Sequence, residues 1–189
     1  MTLFILNKEL NEANLHELIN TCKSSSMIMG RQLRSAHYNL GKKLGESILK
    51  HSTSSDFSIV IMMRAGLCFA SGIADHMEDL GASINMVFVH NDEISSDDLY
   101  LLANKKVVIV DAVINSGKSI FRLMEKIPPI DNYNVYIATT VIPTKSLNLF
   151  ENNQLFTVRT SDNIYEGAKV SNISNGKGPD TGDRLFNTY

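Results

Sequence analysis

The stretch KVVIVDAVINSGKS, Lys106 to Ser119, decides the fold. Val107 to Val110 is an unbroken run of apolar, mostly β-branched residues, the pattern of a strand buried on both faces. The run ends in a carboxylate, Asp111, followed by a short loop containing Asn115, Ser116 and Gly117, and a helix opens at Lys118 and Ser119. Outward from this unit the same alternation repeats. Phe57 to Met63, Ile84 to His90, Val135 to Ile142 and Gln154 to Thr160 read as further strands. Between and before them, residues 12–22, 27–51, 67–80, 119–127 and the segment TKSLNLFENN read as helices, and Pro128-Pro129 stops one of them. Buried strands alternating with helices predict an α/β protein, a doubly wound, mostly parallel sheet flanked by helices. Ligands of such sheets bind beyond the carboxyl ends of the strands, so the loops after Met63, His90 and Asp111 carry the interest.

Composition narrows the functional classes. The chain has 189 residues, 43% of them apolar, and 18 Lys plus Arg against 20 Asp plus Glu. A chain of this size buries roughly 70% of its unfolded surface, enough for a core without metal or disulfide staples. The near-zero charge excludes a nucleic-acid coat protein, and no apolar run is long enough to span a membrane. MTLFILNKEL lacks the pattern of a secretory signal, and the two cysteines, Cys22 and Cys68, make no disulfide framework. A cytoplasmic location is the expectation. The five histidines show no metal-ligand spacing. Residues 1–189 are expected to form a single domain, with N-terminal helices over 1–56, a core sheet over 57–160 and a C-terminal segment over 161–189, in which Leu185 and Phe186 argue for docking.

Three segments can carry chemistry. In the first, the turn after Asp111 presents backbone N–H groups and the positive end of a helix dipole, an anion site. Gly117 permits close approach of a phosphate, and Ser116, Lys118 and Ser119 add donors. The plainer alternative is a turn in which Asp111 and Ser116 cap the helix. AVINSGKS also approaches the GxxxxGKS phosphate loop of nucleoside triphosphatases. Against that reading, Ala112 replaces the first glycine, Asp111 directly precedes the loop, and VYIATTVI lacks a terminal aspartate for Mg²⁺. In the second segment, Arg64 stands at the end of a buried strand and is followed by Ala65 and Gly66. A guanidinium there suits a phosphate or pyrophosphate, although an arginine snorkelling to solvent is common at a sheet edge. The third segment, GKGPDTGDRLF, places Asp180 and Asp183 on one turn, where they could bind hydroxyls or Mg²⁺, or simply shape the turn.

In this order, RAGL, the strand leading to D-x-x-x-x-[ST]-G-x-S, and the terminal D-x-G-D-R-x-F-x-T resemble the uracil phosphoribosyltransferases of the type I phosphoribosyltransferase fold. The resemblance runs from about residue 57 onward. It implies transfer from phosphoribosyl pyrophosphate (PRPP) to a nucleobase, with uracil the first choice, giving the nucleoside monophosphate and pyrophosphate in pyrimidine salvage. It implies Mg²⁺ carried with PRPP, with no direct protein ligation except by Asp180, and a homodimer or larger assembly. It further implies that Asp111 holds the ribose hydroxyls, and that Arg64, Ala65 and Gly66 grip the pyrophosphate. The PRPP site then runs through Asp111, Ala112, Val113, Ile114, Asn115, Ser116, Gly117, Lys118 and Ser119 to Asp180. Asp111, Arg64 and Asp180 are the implied catalytic set. Ile173, Pro179, Asp180 and Thr181 are implied at the base, making 161–189 a base-binding segment. The chain departs from the family where His90 replaces an arginine, where the hood over Asn91 to Asn104 is short, and in the base-reading stretch VSNISNGKG. Those departures motivate a second reading, a non-catalytic module of the same fold that binds PRPP or a nucleotide.

Overall fold

A computed structural model describes residues 2–127, 135–164 and 178–189. Six strands form one sheet: β1 (Thr2–Ile5), β2 (Asp56–Met62), β3 (Ser83–Val89), β4 (Lys106–Val113), β5 (Val135–Pro143) and β6 (Gln154–Ser161). They lie in the order β1-β6-β5-β4-β2-β3, and every pairing is parallel. The expected doubly wound sheet is therefore present and wholly parallel. Its central strands are buried along nearly their full length, which explains why they read as continuous apolar runs instead of alternating ones.

Helices cover both faces. On one, α1 (Leu6–Glu9), α2 (Ala13–Cys22), α3 (Gly30–Lys50) and α4 (Leu67–Asp79) enclose a core of Leu15, Leu40, Leu44, Phe69 and Ile73 against Phe57, Val108 and Phe156. On the other, α6 (Lys118–Lys126) and a 3-10 turn (Thr144–Phe150) pack Ile120, Leu123 and Phe150 against Val60, Ile109 and Ile137. Two short helices complete the chain, α5 (Ser96–Tyr100) and α7 (Thr181–Phe186). Among the described residues no helix is long and apolar enough to cross a membrane.

Several expected elements differ. The segment 1–56 is not wholly helical, because Thr2–Ile5 pairs with β6 in the register Phe4↔Phe156. Four residues are too few for a period to show, and the pairing is set by a strand 152 positions on. Residues 27–29 are not helical either. Met27 takes a left-handed φ of 56° after a 3-10 turn, and α3 begins at Gly30. TKSLNLFENN is not an α-helix but the 3-10 turn, where Ser146 Oγ donates to the Asn115 carbonyl (2.6 Å) and ties the turn to the loop after β4. The short segment over Asn91 to Asn104 holds α5, capped by Ser95, whose hydroxyl accepts from the Asp98 N–H.

The C-terminal segment docks as Leu185 and Phe186 suggested. Leu185 is buried, and Arg34 donates to its carbonyl (2.7 Å). The strongest tie is Arg184, which is fully buried and donates to the carbonyls of Cys22 (3.4 Å), Lys23 (3.1 Å) and Ile28 (2.9 Å) and to Ser26 Oγ (3.2 Å). No carboxylate pairs with it among the described residues, so three backbone carbonyls and the Ser26 hydroxyl carry the charge. Removing the guanidinium strands those carbonyls in the interior. Arg184→Met is therefore expected to lower unfolding free energy by about 3 kcal/mol, read by urea denaturation, while a surface change such as Lys8→Met stays within about 0.5 kcal/mol.

Candidate active site

Chain direction across the sheet reverses between β2 and β4. From β2 the chain moves outward to β3, whereas from β4 it moves the other way through β5 and β6. Loops leaving the two adjacent strand ends diverge and open a crevice, the place where parallel sheets bind ligands. A cavity of about 570 Å³ lies there, lined by Arg64, Ala65, His90, Asp92, Asp111 and Asp180 among others. A smaller one of about 150 Å³ adjoins it, lined by Asp111 and by Val113 through Ile120.

The loop after β4 is built for an anion. Gly117 is the N-cap of α6 with φ 70°, and no side chain caps this helix. The alternative in which Asp111 and Ser116 serve as its caps is thus not what forms, and the first-turn residues Lys118 to Ile120 line the smaller cavity, where the backbone N–H groups of a helix start suit an anion. A side chain at residue 117 is excluded twice over. The left-handed φ disfavours it, and a Cβ would stand 2.6 Å from the Phe150 ring and 3.0 Å from that of Phe121. Those rings stack at 5.0 Å beneath the loop.

Asp111 sits half-buried at the crevice floor, where the Val113 N–H donates to its Oδ1 (3.5 Å). Burial pushes its carboxyl up to about 7. The N–H groups of Val113 and Ala112 oppose the shift, and the charges of Asp92 and Asp180 add to it. A carboxylate so raised is poised to receive a cation or hydroxyl donors, since either would favour its charged form.

Arg64 does not snorkel freely. It pairs with Asp183 Oδ1 (2.8 Å) and donates to Thr188 Oγ1 (2.8 Å). Asp183 in turn forms a capping box with Asp180 at the start of α7, so the terminal turn is held over the loop after β2. Of the two acids on that turn, only Asp180 lines the large cavity.

A third cavity, of about 250 Å³, shares Val113, Ile114 and Asn115 with the phosphate loop and includes Thr181, His37, Cys22 and Arg159. The structure thus places most of the anticipated residues around one connected region. Arg64, Ala65, Asp111, Ser119 and Asp180 line the crevice, and Val113 through Ser119 line the loop pocket. Gly66 and Ala112 lie behind the surface. A Cβ on Gly66 would meet the carbonyls of Val110 (2.7 Å) and Met62 (2.8 Å), so that glycine serves chain packing, while the Ala112 carbonyl accepts from Thr139 (3.2 Å). Pro179 is buried before α7, and Ile173 falls outside the described residues. His90 lines the crevice after β3.

Sequence reasoning missed Asp92, Arg159 and His37. Asp92 enters the crevice and accepts from Arg122 Nε (2.9 Å) on α6, a pairing across 30 positions that no local pattern signals. Arg159, a lone charge in the apolar run LFTVRT, carried the same signal as Arg64. Among the described residues no group of three His, Cys, Asp or Glu side chains is placed to hold a metal ion.

A wholly parallel sheet with helices on both faces and a crevice at its switch point defines an open α/β protein, and similarity to known proteins specifies which. The uracil phosphoribosyltransferase family model matches residues 26–188, so the chain belongs to that family. It is 23% identical over 123 residues to the human phosphoribosyltransferase domain-containing protein 1, covering 56% of this chain and 55% of that protein; it spans about half the length of this curated relative. Among solved structures, the AQ2163 protein from Aquifex aeolicus superposes with a TM-score of 0.67 at 18% identity, covering 99% of both chains. A hypoxanthine-guanine phosphoribosyltransferase (hpt-2) from Bacillus anthracis gives a TM-score of 0.50 at 11% identity, covering 75% of this chain and 89% of that one. At such identities the structural likenesses speak for the fold.

The raised Asp111 carboxyl has a consequence for stability. Between about pH 4, where the unfolded carboxyl ionises, and about pH 7, where the folded one does, the folded state binds the extra proton, so stability falls as pH rises through that window. Asp111→Asn removes this penalty. Its melting temperature is expected to exceed that of the parent at pH 8, with the gap narrowing to nothing below about pH 4, as scanning calorimetry would show.

Proposed function

We propose that the protein transfers the phosphoribosyl group of PRPP to a nucleobase, uracil being the acceptor its family points to, with release of pyrophosphate. The observation that carries this reading is the uncapped N-terminus of α6 standing beside Asp111 at the β2/β4 switch point. The loop pocket takes the 5′-phosphate on backbone N–H groups, with Lys118 and the hydroxyls of Ser116 and Ser119 as further donors. Asp111 receives the ribose hydroxyls at the crevice floor. Arg64 faces the pyrophosphate, which takes over the place that the Asp183 carboxylate holds against the guanidinium.

In the reaction a ring nitrogen of the base forms a bond to C1′ and gives up its proton to water, as the C1′–O bond to pyrophosphate breaks and its electron pair leaves with the anion. The chain supplies donors that anchor the phosphates and a fixed line of approach, so positioning and electrostatics account for the rate. The carboxylates of Asp111 and Asp180 at one cavity fit a hard divalent cation that arrives on PRPP, and Mg²⁺ there would neutralise developing charge on the leaving group.

One observation favours the second reading, a module that binds PRPP without turning it over. Arg64 is already engaged by Asp183 and Thr188. Pyrophosphate release with PRPP and uracil separates the two. Turnover is expected in the parent and should be lost, by at least about 1,000-fold, in Asp111→Ala. Saturable PRPP binding with no release under any base would establish the module instead. Lys118→Ala is expected to raise the KM for PRPP roughly tenfold and to leave the KM for the base unchanged, as steady-state kinetics would show.

A further inference from the structure

The 250 Å³ cavity behind the phosphate loop has a charge pattern unlike that of the crevice. Where the crevice gathers carboxylates, no Asp or Glu among the described residues lines this cavity, and its charged residues among them are Arg159 and Lys23. Its two other titratable groups are neutral at pH 7. Burial pushes the Cys22 thiol up to about 12 and His37 down to about 4. His37 Nδ1 lies 3.0 Å from the Leu33 carbonyl, the geometry of an N–H donor, which leaves Nε2 as an acceptor. Behind this wall lies the buried Arg184, whose field reaches both Cys22 and His37.

Arg159 comes from the end of β6 and is half-buried. It is held by the neighbouring Thr160 carbonyl at 3.4 Å, and it forms no ion pair among the described residues. A guanidinium withdrawn from water without a carboxylate pays a desolvation cost that an anionic ligand would return. The cavity is smaller than the roughly 300 Å³ at which drug-sized sites begin, so it suits a single ring. It shares Val113, Ile114 and Asn115 with the loop pocket as lining residues, and Thr181 links it in sequence to Asp180 at the crevice.

We propose that this cavity is the acceptor site and that Arg159 makes it select heterocycles that bind as anions. This rests on the transferase reading above and narrows its substrate class. The negative charge has two sources, a ring nitrogen that has given up its proton or a carboxylate on the ring. In the first case the N–H proton leaves to water before transfer, the freed electron pair forms the N–C1′ bond, and the C1′–O bond breaks toward pyrophosphate. In the second, the carboxylate fixes the ring on Arg159, and the ring N–H proton leaves to water as the same two bonds exchange.

The test is a comparison of uracil, fluorouracil (a more acidic ring N–H) and orotate (a ring carboxylate) in the full chain, its Arg159→Gln variant and its Arg159→Lys variant, with pyrophosphate release as the readout. One of the two acidic acceptors is expected to exceed uracil in kcat/KM by at least roughly tenfold. Fluorouracil in that place identifies the ring anion, and orotate identifies the carboxylate. Arg159→Gln should erase that preference, a loss of roughly 10- to 100-fold, with the KM for PRPP unchanged and partial rescue by lysine. Equal use of all three bases, or a preference that survives Arg159→Gln, overturns the inference while leaving the transferase reading standing. Should no base support pyrophosphate release, the transferase reading falls. Calorimetric binding of orotate and of fluorouracil in the presence of PRPP then decides: Arg159-dependent binding of either upholds an anion site, and its absence overturns one. Should Arg159→Gln fail to fold, Arg159→Lys carries the comparison: a reduced preference for the acidic acceptor upholds the inference and an unchanged preference overturns it.

Discussion

Everything in this molecule depends on two parallel strands ending side by side with their loops turning in opposite directions. In the β2–β4 pairing, Ile61 lies opposite Val110, so the loop bearing Arg64 and the residue Asp111, which still pairs with Thr139 of β5, come level just past the last pair of the two strands. The backbone hydrogen-bond ladder fixes that level to within a fraction of a residue, and a slip of one position would turn Asp111 into the core. No loop has to be shaped to bring the two groups together. The sheet does it, and the apolar packing on both faces keeps the sheet in register.

The second dependence is on long-range closure. Arg184 reaches the carbonyls around α2 and α3, Arg34 reaches the Leu185 carbonyl, and Arg64 reaches Asp183 and Thr188. Three guanidiniums thus fasten one six-residue helix to the N-terminal helices and to the loop after β2. That single helix separates two electrostatic environments. Asp180 lines the acidic crevice, while its neighbour Thr181 lines the cavity where no acid stands among the described residues. A substrate with a cationic or metal-bearing end and an anionic or electron-rich end would be oriented by this contrast before any specific contact formed.

What was legible in the sequence follows from how local each feature is. The strand, Asp111, Gly117 and the start of α6 occupy one contiguous stretch, and each residue type states its own geometry there. Arg64 was legible for the same reason, as a charge ending an apolar run. The short strand β1 was not, since only its pairing with β6 makes it a strand. The 3-10 turn read as a helix because Leu147 and Phe150 have helical spacing, whereas Ser146 is drawn instead to the Asn115 carbonyl. Arg184 was visible within DTGDR, but its partners are 156 to 162 positions away and are mostly backbone atoms, to which composition is blind. The cavity around Arg159 is assembled from α2, α3, β4, β5, β6 and α7, and no window of sequence contains it.

The reach of Arg184 also sets an order of events for folding. The phosphate loop needs only β4, α6 and the adjoining 3-10 turn, contacts that close over a few tens of residues, whereas the Arg184 contacts close a loop of most of the chain. The entropy of closing so long a loop must be met before those hydrogen bonds return anything, so the clasp belongs to the last steps of folding. A chain that has built its sheet but not this clasp would carry a formed phosphate loop and an open, water-filled gap where the positively charged cavity will be. The pocket at the start of α6 would then form earlier than the cavity around Arg159, and the two could be separated in time during refolding.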